Sequence, residues 1–159
     1  GADTPLDEIV VETGPGSFTG LRIGLAAAKA LGLAKSVPVY GVRSTRLVAA
    51  EARAHGVSGP QLVVLAAPRG QIWSEQFDAD DISTGPPVVL MPDAVRTMRE
   101  EGLAVTGSGV AMIGLEAAAT NLPHAAAPFT DPPHAAAFRW LVAQPREPAS
   151  PLYLRQEPG

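Results

Sequence analysis

The 159-residue sequence has no cysteine and little charge, since Asp, Glu, Lys and Arg make up only 18% of its residues. The lack of cysteine excludes disulfide bonds, thiolate catalysis and zinc sites built on cysteine. No apolar run approaches the roughly 18 residues that a membrane-spanning helix requires. Residues 1–5 carry neither the basic nor the apolar region of a signal peptide. We therefore expect a cytoplasmic protein that does not enter a membrane.

The charges that are present are scattered along the chain. Lys and Arg number 12 and Asp and Glu number 16, so the formal net charge is −4 with neutral histidine. A protein that binds nucleic acid through its own surface usually carries a basic stripe, and this sequence shows none. Direct binding of a phosphate backbone by this chain alone is therefore disfavoured.

The patterning of apolar residues predicts an α/β protein with enough hydrophobic residues, 46%, to form a core. The strands are predicted at residues 6–12, 39–42, 61–67, 72–78, 88–90 and 103–106, with an extended piece at 151–155. The helices are predicted at residues 18–34, 45–55, 92–101 and 133–142. The turn Pro68-Arg69-Gly70 predicts a hairpin between the third and fourth strands. A Gly- and Pro-containing stretch at residues 56–60 predicts two lobes, residues 1–58 and 59–159.

A glycine-rich turn between the first strand and the first helix is the most distinctive segment. It consists of Gly14, Pro15, Gly16, Ser17, Phe18, Thr19 and Gly20. A phosphate-binding P-loop requires Gly-Lys-Ser/Thr at its end, but Leu21 and Arg22 follow Gly20. A dinucleotide-binding fingerprint requires glycine at the position of Thr19. Tight strand-to-helix packing therefore explains the spacing better than an anion cradle does.

The helix after this turn carries small residues every four positions, at Gly20, Gly24, Ala28 and Gly32. Glycine inside a helix costs about 1 kcal/mol relative to alanine, so a helix that keeps Gly24 is expected to lie against another backbone. Aliphatic residues occupy most of the remaining positions, which is typical of a helix buried on two sides. The sheet of the same protein would cover one side of this helix. The spacing leaves open whether a partner chain or the protein's own fold covers the other.

Residues typical of catalytic or metal sites do not form such a site here. The three histidines, His55, His124 and His134, lack a second ligand at metal-binding spacing. Neither Ser17 nor Ser108 completes a nucleophile motif. We predict no catalytic residue, no metal and no cofactor. Two other groups are given structural roles: Asp78, Asp80 and Asp81 are expected to form a solvated loop, and Trp73 and Phe77 are expected to pack in a core.

The segment Gly14–Gly24, read as Gly-Pro-Gly-Ser-Phe-Thr-Gly-Leu-Arg-Ile-Gly, closely resembles the signature of the bacterial tRNA threonylcarbamoyladenosine biosynthesis protein TsaB (YeaZ) family. Three other stretches agree in order: residues 39–45, the Gly-Ser-Gly at 107–109, and Pro-Leu-Tyr-Leu-Arg at 151–155. The resemblance thus spans residues 6–155. The first motif is specific to the family, and the later ones support it.

The resemblance implies an actin-like, ribonuclease-H-like fold of two α/β lobes. It also implies a non-catalytic scaffold and activator subunit that pairs with the catalytic subunit TsaD and works with the ATPase TsaE. Together these proteins form threonylcarbamoyladenosine in tRNA, and we expect tRNA to be contacted only through the complex. The absence of a His-x-x-x-His pair agrees with a subunit that lacks its partner's metal site. Self-association is expected as an alternative when TsaD is absent.

On this reading, the first helix provides the partner interface. The residues assigned to it are Gly20, Leu21, Gly24, Leu25, Ala28 and Gly32, with the two leucines as apolar anchors. Because other members of the superfamily are enzymes, a glycoprotease-type peptidase or a sugar-kinase-like phosphotransferase is the alternative. That alternative requires metal-ligand histidines or a phosphate-loop aspartate, and the sequence shows neither.

The sequence departs from the family pattern in two places. Family members carry an Asp-Thr-Ser/Ala segment before the equivalent of Leu6, and its absence here leads us to expect an incomplete first lobe. The family hairpin normally carries Asp, Arg, Glu and Tyr at four positions. Ala66, Pro68, Gln71 and Trp73 occupy those positions in this chain.

Overall fold

The structure, a computed structural model, describes residues 5–98, 103–114, 141 and 145–154. Its strands are β1 (Ile9–Gly14), β2 (Val39–Arg43), β3 (Gln61–Ala66), β4 (Ile72–Phe77), β5 (Val88–Leu90), β6 (Ala104–Thr106) and β7 (Glu147–Pro148). Its α-helices are α1 (Phe18–Lys35), α2 (Ser44–Ala54) and α3 (Pro92–Thr97). Short 3-10 turns lie at Pro68–Gly70 and Val110–Ile113. Within these ranges, no helix combines the length and hydrophobicity that crossing a membrane requires.

The chain forms two compact units. The first contains the described residues up to Ser44 together with Pro145–Tyr153, and the second contains those from Thr45 to Leu141 together with Leu154. The Gly- and Pro-containing stretch predicts a boundary near residue 58, whereas the units divide earlier, at Ser44. The reason is that Ala49 of α2 packs with Val63, Leu65 and Phe77 of the hairpin, which ties this helix to the second core.

The first unit is built on a three-stranded sheet in the order β1-β2-β7. Strands β1 and β2 are parallel, and α1 connects them and packs on them. Strand β7 comes from more than a hundred residues later and pairs antiparallel with β2 at Tyr40 and Gly41. A side chain at Gly41 would collide with the carbonyl oxygen of Pro148, so glycine is required where β7 crosses.

The second unit is a four-stranded sheet in the order β5-β4-β3-β6. Strands β3 and β4 form the predicted antiparallel hairpin, and β6 joins the other edge of β3 in parallel. One face of β3 packs with α3 and the 3-10 turn Val110–Ile113, in a cluster that includes Val95. The other face packs with α2. Strand β3 is therefore buried on both faces, in agreement with its continuous apolar run.

Most predicted elements are confirmed, with ends that differ by a few residues. Strand β1 begins at Ile9 and continues to Gly14, and α3 ends at Thr97. Phe77 is fully buried and Trp73 packs against the cluster that contains Phe77, so their predicted place in a core is also confirmed. Of the helix predicted at residues 133–142, all but Leu141 lies outside the described residues. Residues 99–101, the last residues of the helix predicted at 92–101, also lie outside the described residues.

Candidate functional site

The glycine-rich turn leaves the carboxyl end of β1 beside the carboxyl end of the parallel strand β2. Gly14 has φ = 99°, a conformation that favours glycine. A Cβ there would lie 2.8 Å from Cδ1 of Leu21. Gly14 and Pro15 are both buried, so the first half of the turn serves the close packing of β1 and α1 that the sequence predicts.

The second half of the turn starts the helix and is exposed. The Ser17 side chain accepts a hydrogen bond from the Gly20 N–H at 3.4 Å and thereby caps α1. Gly16 is half-buried, whereas Phe18, Thr19 and Arg22 are exposed. The turn thus changes from a packing element to a surface element at Ser17.

Polar side chains fix the strand ends beneath the turn. The Thr13 hydroxyl donates to the Val42 carbonyl at 3.1 Å, and the Ser44 hydroxyl donates to a carboxylate oxygen of Glu12. These bonds join the end of β1 to the end of β2 and to the first residue of α2. The sequence analysis did not identify Glu12 or Ser44 as a pair, because the two residues are 32 positions apart.

The C-terminal family stretch folds back onto this turn. The Leu152 N–H donates to the Thr13 carbonyl at 2.7 Å. Next to it, the Tyr153 ring lies 5.3 Å from the Phe18 ring, and the Tyr153 hydroxyl accepts a hydrogen bond from Nε of Arg22 at 3.2 Å. The Arg22 guanidinium also stacks 3.8 Å from the Phe18 ring centroid. Two motifs that the sequence separates by 131 positions therefore form one surface cluster, Phe18, Arg22 and Tyr153.

The inner side of α1 packs against the chain's own sheet. Leu21 and Leu25 are only 7% and 5% exposed, and Gly32 is buried. A side chain at Gly32 would collide with Val39 of β2. The prediction that Leu21, Leu25 and Gly32 lie on a partner surface therefore requires correction, because these residues hold α1 on β1 and β2.

Helix geometry explains this correction. Successive residues of an α-helix are about 100° apart, so a step of four advances the direction by about 40°. The small-residue stripe therefore winds about a third of the way around α1 between its first and last members. Gly20 and Gly24 are exposed, Ala28 is half-buried and Gly32 is buried. The stripe begins on one flank of the helix and ends against the sheet.

The outer side of α1 is exposed and almost entirely apolar. Ile23 is 65% exposed, and Leu31 and Leu33 are also largely exposed. Ala26, Ala27, Ala30 and Ala34 are exposed as well. Scattered apolar side chains are ordinary on a surface, whereas a contiguous apolar face marks a binding surface. We call the exposed side of α1 centred on Ile23 and Ala30 the outer face.

Other groups considered in the sequence have structural surroundings. Ser108 accepts a hydrogen bond from the Ala66 N–H at 3.0 Å, and His55 lies beside Glu51. The hairpin position Pro68 begins a 3-10 turn in which Arg69 has φ = 61°. His124 and His134 lie outside the described residues. Among the residues that are described, no three His, Cys, Asp or Glu side chains are grouped so as to hold a metal ion.

The acidic loop after β4 differs from its prediction as a solvated loop. Asp81 is 8% exposed, and its carboxylate lies 2.6 Å from Nε of Arg53. The amide of Gln61 donates to the same carboxylate oxygen. Arg53 also donates to the carbonyls of Asp78 and Ala79. The loop is therefore tied to α2 through a buried ion pair.

Comparison with known proteins places the chain in a family. The family model described as "TsaD: tRNA N6-adenosine threonylcarbamoyltransferase" matches residues 3–83. The uncharacterized protein Rv3421c of Mycobacterium tuberculosis is 35% identical over 153 residues, a match that covers 95% of this chain and 65% of that protein. The chain thus spans just under two thirds of the length of that relative.

Two further matches are to a TsaB protein and to a solved YeaZ structure. The tRNA threonylcarbamoyladenosine biosynthesis protein TsaB of Bacillus subtilis is 39% identical over 74 residues, which is 46% of this chain and 31% of that protein. The structure of YeaZ from Pseudomonas aeruginosa matches with a TM-score of 0.69 at 21% identity, over 94% of this chain and 74% of that one. The likeness confirms the predicted α/β, actin-like fold. The chain therefore belongs to the tRNA N6-adenosine threonylcarbamoyltransferase (TsaD) family and is similar to TsaB and YeaZ proteins.

Proposed function

We propose that this protein acts in the formation of threonylcarbamoyladenosine in tRNA, as a non-catalytic subunit that binds and activates a TsaD-like catalytic subunit. The reaction would take place in the cytoplasm, where the expected TsaE-like ATPase would join the complex. The tRNA would be contacted through the assembled complex. The observation that carries the proposal is the outer face of α1, which is apolar and exposed and begins within the family signature, at Ile23.

The likeness to TsaD itself supports a related partner. The TsaD family model matches residues 3–83, a range that contains β1, α1, β2, α2 and the β3-β4 hairpin. A TsaD-like subunit would therefore present an equivalent helix, and two such helices would pack face to face. Gly20 and Gly24 on the flank of α1 would allow close backbone approach. Ile23 and Ala30 would then take the anchoring role that the sequence analysis gave to Leu21 and Leu25.

The same face offers a route to self-association when the partner is absent. Burying an exposed apolar face is favourable at roughly 25 cal/mol per Å² of apolar surface, whichever chain covers it. We expect the TsaD-like subunit to compete with a second copy for this face. A mixture of the two proteins would then contain the heterodimer in place of homodimers.

The test is a titration of the TsaD-like subunit from the same genome with this chain and with two matched variants. Ile23→Asp places a charge on the outer face, whereas Ile82→Asp makes the same change on the second unit. The two isoleucines are similarly exposed, at 65% and 58%. We expect Ile23→Asp to weaken binding by on the order of 30-fold or more, since central interface positions are worth about 2 kcal/mol or more. Ile82→Asp is expected to bind as the wild type does.

The same proteins test the non-catalytic role. Threonylcarbamoyladenosine formation by the reconstituted complex should fall with Ile23→Asp in proportion to the lost affinity and recover at high concentrations of the variant. ATP hydrolysis that co-elutes with this chain alone, and that disappears on mutation of one of its own residues, would overturn the assignment. Wild-type chain that fails to bind the TsaD-like subunit would overturn the proposal as a whole.

A further inference from the structure

The surface cluster of Phe18, Arg22 and Tyr153 is held together by specific contacts although its members are exposed. Arg22 stacks 3.8 Å from the centroid of Phe18 and donates from Nε to the Tyr153 hydroxyl at 3.2 Å. Phe18 and Tyr153 remain about half exposed, at 52% and 44%. Fixing an arginine side chain opposes its considerable rotamer entropy. The cluster thus holds a surface cation in one orientation.

This orientation leaves the outer edge of the guanidinium available. Arg22 is exposed, and within the part of the chain that the structure describes its hydrogen bond is made by Nε, so Nη1 and Nη2 keep their donor capacity. The planar donor edge of an oriented guanidinium matches a carboxylate or a phosphate. Arginine and tyrosine are also enriched at the positions that dominate protein–protein binding. The cluster therefore has the form of an anion-recognition point.

The charges along α1 have one sign. Its charged residues are Arg22, Lys29 and Lys35, all exposed, and none forms an ion pair with a described carboxylate. Three carboxylates of the same unit are already engaged: Glu8 with Arg146, Glu147 with Arg43, and Glu12 with Ser44. The outer face is thus an apolar surface bordered on one flank by Arg22 and Lys29, which form no ion pair with a described carboxylate. A complementary partner must be apolar with carboxylates at its edge.

Two other occupants fit these charges less well. A second copy packed through α1 would bring its own Arg22 and Lys29 into the interface without a carboxylate from its own helix. A nucleic acid would meet only Arg22 and Lys29, about 10 Å apart along the helix, beside aliphatic side chains that do not bind phosphate. The chain's net charge of −4 also opposes association with a polyanion. A protein with an acidic side chain fits best.

We propose that Arg22, positioned by Phe18 and Tyr153, binds a carboxylate of the protein that packs along the outer face of α1, and that this contact selects that partner over a second copy. The inference rests on the proposed function, because it names how the TsaD-like subunit is recognised. Tyr153 acts as a positioning residue, since its hydroxyl orients the guanidinium. Lys29, on the same flank of the helix, adds a weaker attraction.

The experiment measures the affinity of the TsaD-like subunit for the wild type, Arg22→Glu, Tyr153→Phe and the control Lys35→Glu. The control makes the same change of charge on α1 but on the opposite flank of the helix. We expect Arg22→Glu to weaken binding by on the order of 30-fold and Lys35→Glu by less than about 3-fold. Tyr153→Phe should weaken binding by roughly 5-fold, because the ring stays and one hydrogen bond is lost.

The salt dependence of the affinity distinguishes recognition of a charge from packing of the Arg22 side chain. Wild-type affinity should fall as salt is raised, and it should fall less steeply for Arg22→Met, since this variant keeps much of the side-chain bulk without the charge. The inference is overturned, and the proposed function is not, if the wild type binds the TsaD-like subunit and the Arg22→Glu and Lys35→Glu variants bind it with equal affinity. An Arg22→Glu variant that loses tRNA binding or self-association, but keeps the TsaD-like subunit, would also overturn it.

Discussion

Two glycines of the small-residue stripe, Gly24 and Gly32, differ in what their missing side chains would meet. A methyl group at Gly24 would have one neighbour within 4 Å, Cγ2 of Val11 at 4.0 Å. At Gly32 it would collide with Val39 and lie 3.1 Å from the Val37 carbonyl oxygen. The sequence assigns the two residues one role, whereas the structure gives Gly32 to the core of the first unit and leaves Gly24 at the surface.

This difference predicts stability changes of opposite sign. Gly24→Ala should raise the free energy of unfolding by up to about 1 kcal/mol, because alanine is the better helix former and finds space. Gly32→Ala should lower it by about 1–3 kcal/mol, because the core cannot accept the extra carbon. Urea denaturation of the two variants checks both signs. Equal destabilisation by both would show that Gly24 also lies against the protein's own fold.

Gly24→Ala should also weaken binding to the TsaD-like subunit, although it stabilises the free chain. The reason is that an added methyl group on the flank of α1 would hold the partner backbone away and reduce packing contacts along the helix. Titration of the variant against the wild type measures this loss. If the variant is more stable and its affinity is unchanged, Gly24 does not contact the partner, and only the aliphatic side chains of the outer face do.

At the scale of elements, a buried ion pair fastens the loop after β4 to helix α2. The side chains of Arg53 and Asp81 are 5% and 11% exposed, and Asp81 has φ = 63°. Asparagine tolerates that backbone conformation and has the size of aspartate. Asp81→Asn therefore removes the charge alone and leaves the Arg53 guanidinium buried without its counter-ion.

We predict that Asp81→Asn lowers the free energy of unfolding by about 3 kcal/mol, as expected when one partner of a buried ion pair is removed. The matched control is Asp93→Asn, which makes the same change at a residue paired with Arg96 on the surface, where the aspartate side chain is 88% exposed. That control should leave the stability nearly unchanged. Chemical denaturation measures both variants, and similar small losses would contradict a tight, desolvated pair.

The elements show what a single sequence can predict. The β3-β4 hairpin and α1 follow from local signals: the turn Pro68–Gly70, an apolar run, and the glycine-rich turn before the helix. The local pattern did not predict which members of the small-residue stripe are buried. The stripe turns by about 40° per step, and the packing of α1 on β1 and β2 decides which part of it faces the sheet. The contact between Tyr153 and Arg22 joins residues 131 positions apart, and no local pattern encodes it. The resemblance identified both motifs but did not show that they meet.

At the scale of the whole molecule, the chain divides into two compact units, and the first depends on a strand that returns late in the chain. Strand β7 pairs with β2, Arg43 pairs with Glu147, and the Leu152 N–H bonds to Thr13. A side chain at Gly41 would displace this returning strand. A substitution there should therefore loosen the first unit without reaching the β3-β4 hairpin.

Hydrogen exchange tests that independence. Gly41→Ala should reduce amide protection in β1, β2 and β7 while the amides of β3 and β4 keep theirs, because local stability follows the cores. Gly85→Ala is the control, since a methyl group there would meet nothing within 4 Å and its backbone needs no positive φ. Protection lost equally in both units would show that they unfold as one.

The most direct measurement of the central claim is the protection of a single introduced thiol on α1 by the TsaD-like subunit. The chain has no cysteine, so Ala30→Cys on the outer face and Ala111→Cys on the second unit each create one reactive site in this chain at an exposed position. We predict that a saturating TsaD-like subunit slows maleimide modification at position 30, measured by the intact mass of this chain, and leaves position 111 unchanged. Equal modification rates at both positions in a complex that size-exclusion chromatography shows to be formed would contradict the account.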